Sequence, residues 1–140
     1  MKRILALLLA VVLTGAFTFA AVAEAEIMPR ASEYFSSYSV GITPKAGGKL
    51  SVRFSTTGVE TSSTLGVTTY QLQKKVDGVF QNVGDEQSGS VGHSTIEHTF
   101  TRTCQGVAGE IYRVKATFVC ENSKGYKTQV YYSSSAKAIN

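Results

Sequence analysis

Beyond residue 25, hydrophobic and polar residues alternate along several short runs of the chain. From Lys49 to Thr57 the sequence reads KLSVRFSTT, which puts Leu50, Val52 and Phe54 on one side of an extended chain and polar residues on the other. A period of two over such a run is typical of a strand with one buried face. No segment after residue 25 keeps a period of 3.6 residues, so the pattern predicts an all-β protein.

The alternating runs predict seven strands, separated by segments rich in glycine, proline and polar residues. Asp77-Gly78 is typical of a two-residue hairpin turn, and Val59–Leu65 and Gly84–Gly92 are predicted to be loops. Seven antiparallel strands in about 100 residues predict a two-sheet sandwich. The predicted strands are Tyr34–Ile42, Lys49–Thr57, Thr69–Val76, Val79–Val83, Ser94–Thr103, Tyr112–Cys120 and Lys127–Ser135.

The first 25 residues have the features of a secretory signal peptide. Lys2 and Arg3 precede the apolar run Ile4–Leu13, and small residues at positions 21, 23 and 25 offer two overlapping cleavage sites. We expect cleavage after Ala25, although the mostly apolar stretch from Ile4 to Ala23 could also remain as a membrane anchor. The predicted organisation is a signal peptide at 1–25, an N-terminal segment at 26–32 and one β-sandwich domain at 33–140, secreted to the extracellular space and free of the membrane after cleavage.

Three segments, in order, resemble the fibronectin type III and immunoglobulin-like domains. LSVRF at 50–54 is similar to the second strand of fibronectin type III, with Phe54 in the place of its usual tryptophan. YQLQKKVDG at 70–78 is similar to the third strand and its hairpin, and YRVKA at 112–116 to the sixth strand. The resemblance implies a two-sheet antiparallel sandwich, in which Tyr112 would be the tyrosine-corner residue.

The whole chain after residue 25 is also similar to a group of small uncharacterised bacterial secreted proteins. The shared features are the start PRASEYF at 29–35, a strand of the type VKATF at 114–118 and the turn NSKG at 122–125. This second resemblance implies the same architecture and supplies no activity.

Neither catalytic motifs nor a metal-ligand pattern are found in the sequence. His93 and His98 are five residues apart on a predicted strand, so their side chains point to opposite faces and cannot bind one metal ion from there. The nucleophile elbow, the phosphate-binding loop, the Cys-x-x-Cys pair and the calcium-binding loop are all missing. We therefore expect no enzyme, no cofactor and no metal site.

Two arguments disagree on whether Cys104 and Cys120 form a disulfide. A secreted chain with two cysteines usually pairs them. The strand assignment instead places Cys120 some eight residues along the strand that follows Cys104, on the order of 25 Å away at ~3.3 Å per residue. Because a disulfide needs Cα atoms within about 7 Å, we predict two free thiols.

Charge suggests where a ligand would bind. Cleavage after Ala25 takes two of the 14 basic residues and one of the ten acidic residues, which leaves a net charge of +3. In the predicted sandwich the third, sixth and seventh strands are neighbours, and several of their cations would face solvent together. An ordinary solvated sheet face would show the same residues, since lysines discourage edge pairing. The candidate binding residues are Lys75, Arg113, Lys115, Lys127 and Tyr131.

Two functions fit these observations. The first is a non-enzymatic binding or adhesion module, whose cations would hold an anionic cell-wall or glycan surface weakly. The second is a small secreted effector, antibacterial or inhibitory, that acts through its polar loops. No block of like charges indicates a nucleic-acid partner.

Overall fold

A computed structural model describes residues 32–140, so the predicted signal peptide and all but the last residue of the segment 26–32 lie outside the described residues. The described part contains nine antiparallel strands in two sheets and one short 3-10 helix at Ala46–Gly48, which confirms the all-β sandwich prediction. The strands are β1 (Phe35–Pro44), β2 (Lys49–Ser62), β3 (Thr64–Val76), β4 (Val79–Asn82), β5 (Gln87–Gly92), β6 (Thr95–Gln105), β7 (Ile111–Asn122), β8 (Gly125–Tyr132) and β9 (Ala136–Lys137).

The two sheets differ in size and in how their edges are built. The three-stranded sheet has the order β1-β2-β6, and the six-stranded sheet has the order β4-β3-β7-β8. In the larger sheet β5 pairs with β3, on a stretch that β4 leaves free, and β9 pairs with β7 at its start. The predicted third, sixth and seventh strands are β3, β7 and β8, and their predicted adjacency is confirmed.

The core lies between the sheets and is built by the alternating residues. Leu50, Val52 and Phe54 of β2 are fully buried, as the period of two predicts. The Phe54 ring stacks on Phe100 at 4.6 Å between centroids and contacts the Tyr70 ring at 5.1 Å. Phe54 therefore fills its position with aromatic contacts to both sheets. Full burial of one such side chain contributes roughly 1.5–3 kcal/mol.

The hairpin between β3 and β4 follows from the two residues at its tip. Asp77 and Gly78 have φ values of 51° and 81°. Two consecutive residues with positive φ make the turn whose twist matches that of the flanking strands. Val76 therefore pairs directly with Val79, and the predicted turn is confirmed.

Two segments predicted as loops are mostly strand, so seven was too low a count. In Val59–Leu65, β2 continues to Ser62 and β3 begins at Thr64. In Gly84–Gly92, β5 pairs with β3, where the backbone of Gly89 lies so close to Val67 that a Cβ would be 2.3 Å from its carbonyl oxygen. Backbone pairing does not need apolar side chains, so a Ser/Gly-rich strand has no hydrophobic alternation to reveal it.

Tyr112 anchors the segment that connects β6 of one sheet to β7 of the other. Its ring is 2 % exposed, and its hydroxyl accepts a hydrogen bond of 2.8 Å from the backbone N–H of Val107. Gly106 packs against the ring, where a Cβ would lie only 2.9 Å from it. The segment from β6 to β7 is therefore held to the start of β7.

Candidate functional site

The outer face of the six-stranded sheet carries cations and aromatic rings side by side. Residues that pair directly across antiparallel strands share a face. Gln71 pairs with Lys115, and Lys115 pairs with Tyr132, so all three lie on the face opposite to buried Val114 and Ala116. We call this surface the basic-aromatic face, and it consists of Lys75, Phe80, Arg113, Lys115, Tyr132 and Lys137.

Arg113 is held in one position by two rings and a glutamine. Its Cζ atom lies 4.1 Å from the centroid of the Phe80 ring and 4.4 Å from that of Tyr132. Its Nε atom donates a hydrogen bond of 2.8 Å to Gln73 Oε1, and Gln73 Nε2 donates one of 2.9 Å to Asn82 Oδ1. The terminal nitrogens of the guanidinium make no hydrogen bond to any described residue, so they remain free to donate to a ligand.

Three lysines extend the positive charge around Arg113. Lys75 Nζ lies 6.0 Å from the Phe80 centroid, Lys115 is half-buried beside Tyr132, and Lys137 pairs with Ile111, two residues before Arg113. The next pair on this face, Thr69 with Thr117, is neutral. The charged residues of this face are therefore all positive, with Asp77 and Glu110 beside them in the segments before β4 and β7. A surface with such an excess of positive charge attracts anions.

Two glutamines also lie on this face but are covered. Gln71 is 5 % exposed and Gln73 is 9 % exposed. Gln71 Nε2 donates hydrogen bonds to the carbonyl oxygens of Val83 and Gly84, at 3.0 and 3.2 Å, because the chain after β4 folds over it. These glutamines support the face and leave the cations and rings to contact solvent.

The predicted orientation of the last strand is wrong. Lys127 pairs with buried Cys120 and Tyr131 pairs with buried Ala116, so both lie on the face that β8 turns toward the other sheet. Tyr131 packs edge-on against the ring of Tyr38 at 5.6 Å, while Lys127 is exposed near the end of the strand. Of the five predicted binding residues, the structure brings together Lys75, Arg113 and Lys115, and places Lys127 and Tyr131 on the opposite side.

The turn between β7 and β8 is the physical reason for the reversed orientation. Only Ser123 and Lys124 lie between the paired residues Asn122 and Gly125. A turn of this length pairs odd-numbered residues of β7 with even-numbered residues of β8, and a slip of one residue would exchange the two faces of the strand. The hydrophobic pattern could not decide the register, because Tyr131 and its neighbour are both aromatic.

The sequence prediction also missed three members of the face. Tyr132 is not among the predicted binding residues, although it is 43 % exposed, and the length of the turn before β8 is the signal that would have identified it. Phe80 lies on the short strand β4, which the predicted hairpin already placed next to β3. Lys137 was beyond the last predicted strand, and only tertiary pairing with β7 brings it to the face.

The histidines take part in separate contacts. His98 Nε2 lies 3.0 Å from Ser90 Oγ, and its ring packs against Gly66 and Gly92. His93 Nδ1 lies 3.1 Å from the carbonyl oxygen of Ser63. In the described range no three His, Cys, Asp or Glu side chains come close enough to hold a metal ion. The serine and histidine bridge two strands, and no described carboxylate hydrogen-bonds to the ring.

The two thiols lie on different sheets and are not bonded to each other. Cys120 of β7 is buried, and its Sγ donates a hydrogen bond of 3.5 Å to the carbonyl oxygen of Tyr34. Cys104 of β6 is half-buried, and burial raises the pKa of its thiol. Cys104 lines a cavity of about 260 Å³ together with Tyr70 and Leu72. The volume of that cavity is below the usual range of roughly 300–1,000 Å³ for ligand pockets.

The basic-aromatic face carries groups of the kind with which proteins bind anions. A guanidinium offers two parallel N–H groups to a sulfate, phosphate or carboxylate, and lysines add point charges around it. Exposed rings offer flat apolar surface beside these charges.

Positions 32–140 include no helix that is long and apolar enough to cross a membrane. Comparisons with known protein families, curated proteins and solved structures found no match to this chain.

Proposed function

We propose that the protein is a secreted, non-enzymatic binding module whose basic-aromatic face holds an anionic polymer of a cell surface, such as wall teichoic acid or a sulfated glycan. The observation that carries the proposal is the position of Arg113, clamped between Phe80 and Tyr132 with Nε occupied by Gln73. A free arginine loses rotamer entropy when it binds, whereas this one is already ordered.

A polymer fits this face better than a single small anion. The cations are spread over β3, β7 and β9, along the outer surface of the six-stranded sheet. Each exposed charge pair contributes only about 0.2–1 kcal/mol, so useful affinity needs several contacts at once. Binding of this kind weakens with salt, because charges are screened beyond roughly 8 Å at physiological ionic strength.

The finer fold type and the compartment belong to the same proposal. We infer a fibronectin type III or immunoglobulin-like sandwich, with support from the arrangement of β1-β2-β6 against β4-β3-β7-β8. The bond from Val107 N–H to the Tyr112 hydroxyl also supports it, since a tyrosine corner makes such a contact. Bacterial origin and secretion rest on the resemblance at 29–35 and on the features of residues 1–25.

The test compares two double variants that lose the same charge. Arg113→Gln with Lys115→Gln removes one arginine and one lysine from the basic-aromatic face. Arg53→Gln with Lys49→Gln removes the same pair from the outer face of the three-stranded sheet, where both side chains are exposed. Retention of residues 26–140 on immobilised teichoic acid or sulfated glycan should fall strongly for the first variant and little for the second.

A third variant separates geometry from charge. Arg113→Lys keeps the charge but loses the planar guanidinium, its bidentate donors and its stacking between two rings. We expect retention between that of the wild type and that of Arg113→Gln with Lys115→Gln. Equal loss in both double variants would show that only net charge matters, and no retention of the wild type in low salt would refute the proposed function.

A further inference from the structure

Strand β1 is an open edge of the three-stranded sheet and carries no charge. Its sequence from Phe35 to Pro44 is FSSYSVGITP. Among the described strands it pairs with β2 alone. The backbone N–H and C=O groups on its other side are therefore available to another strand, and an uncharged edge does not repel one.

The other edges of the described sandwich are charged, short or interrupted, and the uncharged edge strand β5 has only six residues, two of them glycines. Strand β6 carries Glu97 and Arg102 along its length, and β4 has only four residues. Strand β8 carries Lys127 and ends at Tyr132, so the edge is interrupted before β9 begins. In this interruption Ser133 Oγ accepts a hydrogen bond of 2.8 Å from the N–H of Val114. Charges, short strands and interruptions are the usual means of preventing edge pairing. Strand β1 uses none of them between Ser37 and Thr43.

The margin beside this edge is apolar on its inner side. Tyr38 and Ile42 are only half-buried, and they flank buried Val40 on the inner face of β1. Across the gap between the sheets, Tyr131 of β8 meets Tyr38. A strand added to β1 would bring its own inward side chains over this margin, so it would gain apolar burial as well as backbone hydrogen bonds.

We propose that β1 pairs antiparallel with β1 of a second copy of this chain, about a two-fold axis at Val40. The strand is self-complementary in this register. Inward Tyr38 would face Ile42 of the second copy, Val40 would face its own counterpart, and outward Ser39 would face Gly41. Aromatic and β-branched residues are favourable cross-strand pairs, and a two-fold axis gives a closed dimer that leaves neither β1 edge open.

The dimer would place both basic-aromatic faces on one side. The two-fold axis between antiparallel strands of one sheet is perpendicular to that sheet, so both six-stranded sheets lie on the same side of the joined smaller sheets. This consequence rests on the proposed function. A long polymer could then contact both faces, and linked sites bind more tightly than one site alone.

Charge exchange at the edge tests the pairing. Ser39 and Gly41 are exposed, and a side chain at Gly41 meets no atom within 4 Å. Ser39→Lys with Gly41→Lys would put like charges opposite each other across the axis, and Ser39→Glu with Gly41→Glu would do the same with acids. Each variant alone should sediment with the mass of one chain, while the wild type and a one-to-one mixture of the two variants should sediment with twice that mass.

The control places the same charges on the other edge of the sheet. Thr99→Lys with Thr101→Lys changes two exposed outward positions of β6 and should leave the dimer mass unchanged. A wild type that stays monomeric over the micromolar to millimolar range would overturn the proposal, as would a mixture that stays monomeric although each variant shows a cooperative thermal transition. Monomeric wild type that binds an extended peptide would assign the edge to a different partner.

A polymer measurement separates this proposal from the proposed function. Sedimentation needs no polymer, so it reports the dimer whether or not the basic-aromatic face binds. The Ser39→Lys with Gly41→Lys variant, as a monomer, should bind a short anionic oligosaccharide like the dimeric Thr99→Lys with Thr101→Lys variant, which carries the same added charge, but should leave a long polymer at lower salt than that variant does. Equal elution of the dimer and of this monomer from the long polymer would refute the joint use of the two faces.

Discussion

Thr56 holds the only buried side-chain oxygen or nitrogen atom of the described residues that lacks a hydrogen-bond partner. The residue is 1 % exposed and lies on the inner face of β2. Its cross-strand neighbours are Tyr38 and His98, and His98 lies within hydrogen-bond distance of Ser90 Oγ instead. Replacing Thr56 with valine exchanges the hydroxyl for a methyl group of similar size and keeps the β-branched shape that strands favour.

The expected gain follows from the cost of the hydroxyl. A buried polar group without a partner costs about 1–3 kcal/mol, because it gives up hydrogen bonds to water and gains none. Removing the hydroxyl by Thr56→Val should recover about 1–2 kcal/mol of the free energy of unfolding. For a domain of this size that gain corresponds to a rise in melting temperature of roughly 4–8 °C.

Urea unfolding of residues 26–140 measures the effect directly. The midpoint should move to higher urea while the slope stays constant, since the surface exposed on unfolding barely changes. Thr57→Val is the control, because its side chain is half-exposed on the outer face and should change stability by less than about 0.5 kcal/mol. Loss of stability in Thr56→Val, or an equal gain at Thr57→Val, would show that the buried Thr56 hydroxyl does not destabilise the fold.

Three further predictions concern single contacts. Tyr112→Phe removes only the hydroxyl that accepts from Val107 N–H, and thermal unfolding should show a loss of about 1–2 kcal/mol; no loss would mean that water replaces the bond. The hydroxyl and N–H of Ser123 hold the pKa of Glu60 below its ordinary value of 4.5, so Ser123→Ala should raise that pKa in an NMR titration. Any stability from this contact is present above the unfolded-state pKa of Glu60 and disappears as the pH falls through its folded-state pKa. Thiol titration of the unfolded, unreduced chain should find two free thiols, and a monomer without free thiols would contradict the strand geometry. In the folded protein Cys104 should react slowly at neutral pH, because burial raises the pKa of its thiol.

Local patterns in the sequence predicted the parts of the fold that local chemistry determines. Leu50, Val52 and Phe54 alternate because one face of β2 is buried, and Asp77-Gly78 adopts the positive φ values that the hairpin turn needs. These features depend on neighbouring residues alone. They therefore survive in any arrangement of the sheets, and a single sequence is enough to identify them.

The candidate site was only partly predictable because its composition depends on pairing between distant segments. Lys75, Arg113 and Lys115 were found from alternation within β3 and β7. Lys137 reaches the face only because β9 pairs with the start of β7, which no local pattern indicates. Tyr132 was not predicted, because its orientation depends on the length of one turn. Strand β5 was missed because its Ser/Gly-rich sequence shows no hydrophobic alternation.

Chemical-shift mapping tests the binding face most directly. Amide and side-chain resonances of isotope-labelled residues 26–140 would be followed while a short anionic oligosaccharide, sulfated or phosphorylated, is added in low salt. We expect the largest shifts to cluster at Arg113, Lys115 and the rings of Phe80 and Tyr132, with little change at Arg53 and on β6. Shifts that cluster on the three-stranded sheet, or on the opposite side around Lys127, would contradict the assignment of the basic-aromatic face.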